Sequence, residues 1–340
     1  MTNWWSDLLD GRARIGMISG EAVILLGGAI AVLLIATGIV MVISKSLGPE
    51  RAAFADELQR RTWAWWYMIG ALGGALLLGE TAVVLLFAVL SYIGLREMKS
   101  LLPDEAQDQR TMLWLTVITA LHYWFLWEHW YGMFAIFIPV YAFLFLPATA
   151  ALRGRTEGFL FRTASVQWML MVCVYAVSHV PALLQLPIAM ELGRSAAEGS
   201  MPGLGGGAGA ALMMYLVIVV QGSDVLQYVW GKSLGKHAVA PTVSPNKTWE
   251  GLIGGVLSAT ALGGALWWAT PFTPWQAALL SFVSCVMGFL GGLVMSSIKR
   301  DRGVKDFGTT ISGHGGIMDR FDSLVFAAPV FFHLVRFFFA

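Results

Sequence analysis

The sequence predicts an all-α fold, a polytopic integral membrane bundle of about ten transmembrane helices. Three observations point there. Apolar residues fill 57% of the 340 positions and charged residues only 13%, against about 25% charged in soluble domains. The apolar residues fall in runs of helical, membrane-crossing length, a hydrocarbon core being ~30 Å thick. Lys and Arg gather in alternate connections between those runs, as they do in membrane proteins.

In chain order, residues 1–20 carry Trp4 and Trp5, suited to a membrane interface. Glu21–Ile43 has no internal charge. It is too long for a signal-peptide core and lacks a clear small-residue cleavage site, so a retained span is expected. Polar Ser44–Thr62 carries Lys45, Arg51, Arg60 and Arg61. Trp63–Gly79 and Thr81–Leu95 then read as two short helices hinged near Glu80, followed by a charged loop, Arg96–Thr111. Met112–Trp127 and Tyr131–Pro147 form a second hairpin with aromatics massed at its turn. Beyond the basic loop Arg153–Arg162 lies Ala164–Leu186, interrupted by Pro181. The Gly-rich run at 203–209 has no Lys-Ser/Thr after it and no strand before it, so it is read as a flexible loop and not a P-loop. Ala210–Gly222 is apolar and ends at Asp224, with a polar loop to Glu250. Gly251–Ala269, Trp275–Met295 and Leu324–Phe339 complete the spans. Glycines in 251–264 and 288–292 suit close helix packing in lipid. Cys173 and Cys285 lie far apart in apolar runs, which suits small buried side chains and not a disulfide or thiolate metal site.

Placing Ser44–Thr62 in the cytoplasm and alternating sides tests this count. Of 22 basic residues, 18 then fall on the cytoplasmic side, leaving Arg12, Arg14, Arg194 and Arg336 outside. Such an asymmetry is what the positive-inside rule demands. Both termini are expected outside, with Arg12 and Arg14 against the trend.

Two stretches carry chemistry. Ser296–Asp322 packs Lys299, Arg300, Arg302, Lys305 and Arg320 among Asp301, Asp306, Asp319, Asp322 and His314, with Gly308, Gly313, Gly315 and Gly316 between them. Folding beside a bilayer requires no such density of charge. Phosphate chemistry with a metal ion does: basic side chains take phosphate oxygens, carboxylates hold divalent cations, and glycines let backbone N–H groups approach an anion. The second stretch is Asp224–Gly251. An aspartate at membrane depth is a functional candidate, a salt bridge to a nearby lysine being the plainer reading. Ser244, Asn246, Lys247 and Thr248 stand just before an apolar helix, where donors and the helix dipole favour anions. Helix capping alone would explain Ser244 or Thr248, but not Lys247 and Glu250 as well.

These two stretches resemble the phosphatidate cytidylyltransferase (CDP-diacylglycerol synthase) family. The resemblance rests on Ser296, Ile298, Lys299, Arg300, Lys305, Asp306, Gly308, His314, Gly315, Gly316, Ile317, Asp319, Arg320, Phe321 and Asp322. Ser-Pro-x-Lys-Thr-Trp-Glu-Gly at Ser244–Gly251 joins them, as do Asp224, Tyr228 and Gly231. It covers residues 224–322. Ser312 and Gln227 depart from the family pattern, which has Pro or Gly and a small residue there. Gln227 stands beside the presumed metal aspartate and bears on lipid specificity.

The resemblance implies CMP transfer from CTP to phosphatidate at a polar cavity facing the cytoplasm, in a cell (inner) membrane protein that pairs as a homodimer. It implies Mg2+, one ion or two, on Asp224, Asp319 and Asp322. It places Lys299, Arg300, Lys305, Asp306, His314 and Arg320 in the catalytic set, and Ser244, Asn246, Lys247, Thr248, Ser296, Gly315 and Gly316 at the substrates. No general base is needed, because the lipid phosphate is already ionised. Residues 1–209, about six helices, are expected as scaffold, and 210–340 as the catalytic region. His122, His129 and His179 are read as interfacial packing, Glu80 and Glu128 as solvated turns, and His333 and Arg336 as snorkelling or bundle-facing. Two alternatives remain: a CTP-dependent transferase acting on another membrane lipid, and a transporter whose intramembrane charges carry an ion or anion. No nucleic-acid partner is expected.

Overall fold

The structure, a computed structural model, describes residues 19–46, 52–102, 109–154, 156–188, 208–310 and 315–340. Trp4, Trp5, Arg12, Arg14, Arg51, Arg155, Arg194, the run at 203–207, Ser312 and His314 lie outside them. The chain is a helical bundle: α1 (Gly20–Ser46), α2 (Ala52–Leu78), α3 (Glu80–Ser100), α4 (Gln109–Trp127), α5 (Tyr131–Ala151), α6 (Phe159–Gln185) and α7 (Ala208–Leu234). A small antiparallel hairpin follows, β1 (Ala238–Ala240) with β2 (Ser244–Thr248), pairing Ala238 with Thr248 and Ala240 with Ser244. Then come α8 (Trp249–Ala265), α9 (Pro274–Asp301), the one-turn α10 (Met318–Phe321) and α11 (Leu324–Phe339).

Each of the predicted apolar segments falls within or largely within a helix of this series. Among the described residues six helices are long and apolar enough to cross a membrane: α1, α3, α5, α6, α7 and α9. Large apolar side chains on α1 stay exposed, including Val32, Ile35 and Val42. In lipid that exposure costs nothing, because the solvent there is itself apolar.

Three boundaries differ from the sequence reading. The segment before Trp63 is helix, so Arg60 and Arg61 stand on α2 and not in a loop. The hinge near Glu80 is real, with Gly79 at φ 107° separating α2 from α3. Glu80 itself is not merely solvated: it pairs with His129 at 3.2 Å and accepts from Gln185 Nε2 at 2.7 Å. Helix α3 runs on to Ser100 through the start of the predicted charged loop, which puts Glu97 in its last turn. Helix α7 runs past Asp224 to Leu234, so Asp224 lies inside a helix and not at its end.

The histidine reading is also corrected. His122 and His179 are fully buried, not interfacial. His122 Nε2 meets Ser178 Oγ at 2.8 Å and its ring stacks on Phe134, while His179 Nδ1 meets the Tyr175 carbonyl at 2.7 Å. Both cysteines are buried free thiols.

Helix α7 packs along α8, α8 along α9, and α9 along α11, and α7 also touches α1. Glycine makes the first two contacts close. A Cβ on Gly255 would meet the Gln227 backbone at 2.6 Å, and one on Gly263 would meet Ser281 Cβ at 2.4 Å. Helix α9 starts at a capping box, Thr273 with Gln276, and has Pro274 in its first turn. It ends on Lys299 and Arg300, cations that suit the negative end of its dipole. One buried apolar cluster runs from Ala22 on α1 to Val335 on α11, so both halves of the chain share a core.

Candidate active site

A cavity of about 970 Å3 opens at the end of the bundle where α9 finishes. Its walls come from α2, α7, β2, the start of α8, the loop after α9, and the turn at Asp319–Ser323. It gathers Asp224, Ser244, Asn246, Lys247, Thr248, Lys305, Asp306, Gly315, Asp319, Arg320 and Asp322. Asp224 and Asp322, 98 positions apart along the chain, therefore share one polar space.

Asp319 is the most engaged of the carboxylates and is 7% exposed. Oδ1 takes the Lys299 ammonium at 2.7 Å. Oδ2 accepts from the backbone N–H of Phe307 at 2.8 Å and of Gly316 at 2.9 Å. One side chain thus ties the end of α9 to both arms of the loop. Gly315 makes this possible. Its φ is +79°, and a Cβ there would sit 2.7 Å from Asp319 Oδ2 and 3.0 Å from Asp306 Cβ.

Asp224 and Asp322 are joined differently. The Ser323 hydroxyl lies 2.6 Å from Asp224 Oδ2 and 3.4 Å from Asp322 Oδ1, and Ser323 N donates to that same Asp322 oxygen at 2.9 Å. Burial raises the Asp322 carboxyl above the ordinary range, opposed by Lys299, Lys247 and Arg320. Burial likewise lowers the Lys247 ammonium, opposed by Asp322 and Asp224. Lys247 reaches this point across α9: a Cβ on Gly292 would lie 2.6 Å from its Nζ, which also sits 5.0 Å from the Phe289 ring centre. The glycines of α9 thus admit a functional side chain as well as a packed helix.

Among the described residues no group of three or more His, Cys, Asp or Glu forms a metal cluster. Asp224 and Asp322, held by one hydroxyl, still suit a hard cation. Mg2+ is commonly bound by one or two carboxylates together with substrate phosphates and water, and the cavity leaves room for both.

The remaining sequence candidates take distinct places. Thr248 lines the cavity but also N-caps α8, accepting from Gly251 N at 3.1 Å. Glu250 holds the hairpin, accepting from His237 Nδ1 at 2.6 Å and from the backbone N–H groups of Lys236 and His237. Arg300 is exposed and donates to the carbonyls of Val243 and Val304, bracing the hairpin against the loop. Ser296, Lys299 and Gly316 stand behind the cavity wall and not on it. Gln227 lines the cavity and donates to Ser223 Oγ at 2.9 Å, one turn below Asp224.

Glu97 was not foreseen. It lies on α3, is 7% exposed, and accepts from the backbone N–H of Ile317 at 2.9 Å, the N–H of Met318 at 3.0 Å and the Thr310 hydroxyl. A Cβ on Gly316 would strike its carboxylate at 2.4 Å, and one on Gly308 would meet its Cγ at 3.0 Å. The two glycines let the loop close around an acid from the other half of the chain. A lone Glu beside Arg96 and Lys99 reads as a solvated helix end; only the Gly308–Gly316 spacing hinted at a close neighbour.

A family model described as the cytidylyltransferase family matches residues 59–338. Among curated proteins the chain is similar to YnbB, an uncharacterized protein of Escherichia coli strain K12. The two are 36% identical over 292 residues, 85% of this chain and 90% of the relative. It is also similar to the phosphatidate cytidylyltransferase of Mycobacterium leprae strain TN, 45% identical over 130 residues. That of Staphylococcus haemolyticus strain JCSC1435 is 40% identical over 124 residues. Each of these two matches covers 36% of this chain, and the chain spans only 39% and 48% of the length of the respective relatives.

Proposed function

The chain belongs to the cytidylyltransferase family, and on that premise we propose that it transfers CMP from CTP to phosphatidate, giving CDP-diacylglycerol and pyrophosphate. It is a nucleotidyltransferase of an integral membrane kind, which sets aside the transporter alternative. The observation that carries the acceptor and donor reading is the cavity itself, where Lys247, Lys305 and Arg320 face Asp224, Asp319 and Asp322 at the end of the apolar bundle.

In the proposed reaction a phosphate oxygen of phosphatidate attacks the α-phosphorus of CTP. A new P–O bond forms, the bond to the β-phosphate oxygen breaks, and pyrophosphate leaves with its electron pair. Both reactants are anions, so neutralising charge is the first requirement. Lys305 and Arg320 line the cavity as phosphate partners, and Lys247 with Ser244 and Asn246 offers donors from the hairpin. Asp224 and Asp322 would hold a divalent cation, Mg2+ in this proposal, which when bound screens the phosphate oxygens. Asp319 and Lys299 fix the loop that presents Gly315.

Ten helices cross the membrane in this reading, adding α2, α4, α8 and α11 to the six of full length and hydropathy. The cavity faces the cytoplasm of the inner membrane, the side that takes 18 of 22 basic residues and supplies CTP. Residues 210–340 carry the CTP and metal motifs and 1–209 the scaffold, and two copies pair as a homodimer, as the resemblance implies. A second acceptor lipid is the alternative, favoured by Gln227 beside Asp224.

The test is CDP-lipid formation by purified full chain in detergent from labelled CTP, phosphatidate and Mg2+. Product from wild type, absent in folded Asp322→Asn, is expected. Product only with a different phospholipid or isoprenoid phosphate moves the assignment to that acceptor, and no product with any acceptor overturns it.

A further inference from the structure

The cavity has a wall that the sequence motifs do not supply. Arg60, Arg61 and Trp65 line it from α2, far from the hairpin and the glycine loop in sequence. All the carboxylates on the lining, Asp224, Asp306, Asp319 and Asp322, belong to the other walls. The basic residues there work beside acids, with Lys299 on Asp319 and Lys247 beside Asp224 and Asp322. The α2 wall brings two guanidinium groups to the lining.

The α2 wall enters the cavity beside residues suited to a membrane interface. Arg60 and Arg61 are followed at once by Trp63, Trp65, Trp66 and Tyr67, the aromatic belt that marks a bilayer's headgroup level. Trp63 and Tyr67 remain 59% and 74% exposed, as lipid-facing belt residues would. Trp66 Nε1 donates to Thr37 Oγ1 on α1 at 3.1 Å, fixing the rotation of α2 about its axis. Trp65 alone among the four is turned to the cavity. A lipid's phosphate rides at the headgroup level that such residues mark.

We propose that Arg60 and Arg61, with Trp65 beneath them, bind the phosphomonoester of the lipid acceptor, while the hairpin wall takes the nucleotide. This rests on the cytidylyl-transfer reading for its chemistry. Guanidinium forks match phosphate oxygens two at a time, and the indole covers the first carbons of the lipid. The N-terminal half then belongs to the site as a substrate-binding wall and not only as scaffold.

The experiment uses full-length protein in mixed micelles, with phosphatidate varied by mole fraction. Arg60→Gln/Arg61→Gln should raise KM for phosphatidate roughly ten- to a hundredfold, the scale of lost charge-assisted bonds. KM for CTP and inhibition by pyrophosphate should stay within about twofold of wild type on the same basis. Arg60→Lys/Arg61→Lys should fall between, keeping charge but losing the fork. Trp65→Leu should raise the lipid KM alone, by a smaller factor. A rise in KM for CTP, or weakened pyrophosphate inhibition, would assign the pair to the nucleotide and overturn the proposal; so would unchanged kinetics in all variants. Wild type that turns over no CTP breaks the reaction reading instead. In that case short-chain phosphatidate is titrated without CTP, with inorganic phosphate as the headgroup-free control. Equal lipid affinity in wild type and Arg60→Gln/Arg61→Gln, or equal competition by phosphate, would then overturn the docking site.

Discussion

The loop Ser296–Asp322 and the helix pair α2–α3 meet at one cavity, yet they differ in how they announce themselves. The loop carries its reactive groups within one short stretch, in a pattern that is costly beside a bilayer unless chemistry requires it. The helix pair contributes Glu97, Arg60, Arg61 and Trp65, single residues scattered along ordinary helical sequence. Chemistry concentrates in sequence, whereas the support for chemistry does not. Glu97 stands 220 positions from Ile317, whose N–H it accepts.

The largest effect should come from within the loop. Lys299→Ala removes the cation from Asp319, whose side chain is only 4% exposed. Breaking a buried pair costs about 3–5 kcal/mol, so turnover should fall about a thousandfold or more, while detergent-solubilised protein keeps its helical circular dichroism. Near-normal turnover would mean that the Phe307 and Gly316 N–H groups alone hold Asp319, and that the loop needs no help from α9.

Glu97→Ala tests the other side of the comparison. It strips the acceptor from two backbone N–H groups and the Thr310 hydroxyl, each such loss being worth about 1–3 kcal/mol when buried. A fall in kcat of about a hundredfold is expected, with CTP affinity less affected and partial rescue in Glu97→Gln, which keeps one acceptor oxygen. If Glu97→Ala lowered only thermal stability, the acid would be a brace for the fold and the loop would stand by itself.

The bundle, its apolar helices and the grouping of Lys247 with Asp224 and Asp319 were legible because membrane insertion and phosphate binding each impose a strong compositional demand. What escaped was position relative to helix ends. Ser44–Thr62 and Arg96–Thr111 are charged, and charge was equated with loop. Helices α2 and α3 instead continue beyond the hydrocarbon, where charged residues are well solvated and helix formation costs them little. That continuation carries Arg60 and Arg61 to the cavity and Glu97 to the loop that borders it. His122 and His179 escaped for a related reason: aromatic neighbours look alike at an interface and in a core.

The smallest effect sharpens the boundary between the two regions. Gly292→Ala places a methyl 2.6 Å from Lys247 Nζ, the far end of a flexible side chain that can swing aside. Stability should change by less than about 1 kcal/mol, since an exchange of Gly for Ala inside a helix is itself favourable by nearly that amount. Turnover should nevertheless drop about tenfold, because Lys247 loses its seat beside Asp224 and Asp322. Gly264→Ala is the control. Its Cβ would meet Ala278 Cβ at 3.3 Å, away from the cavity. A packing-only role for Gly292 predicts equal effects from both variants on melting and activity. A kinetic loss in Gly292→Ala alone would show that the helix gave up a side chain there to admit a lysine, which makes that stretch of α9 part of the site and not only of the bundle.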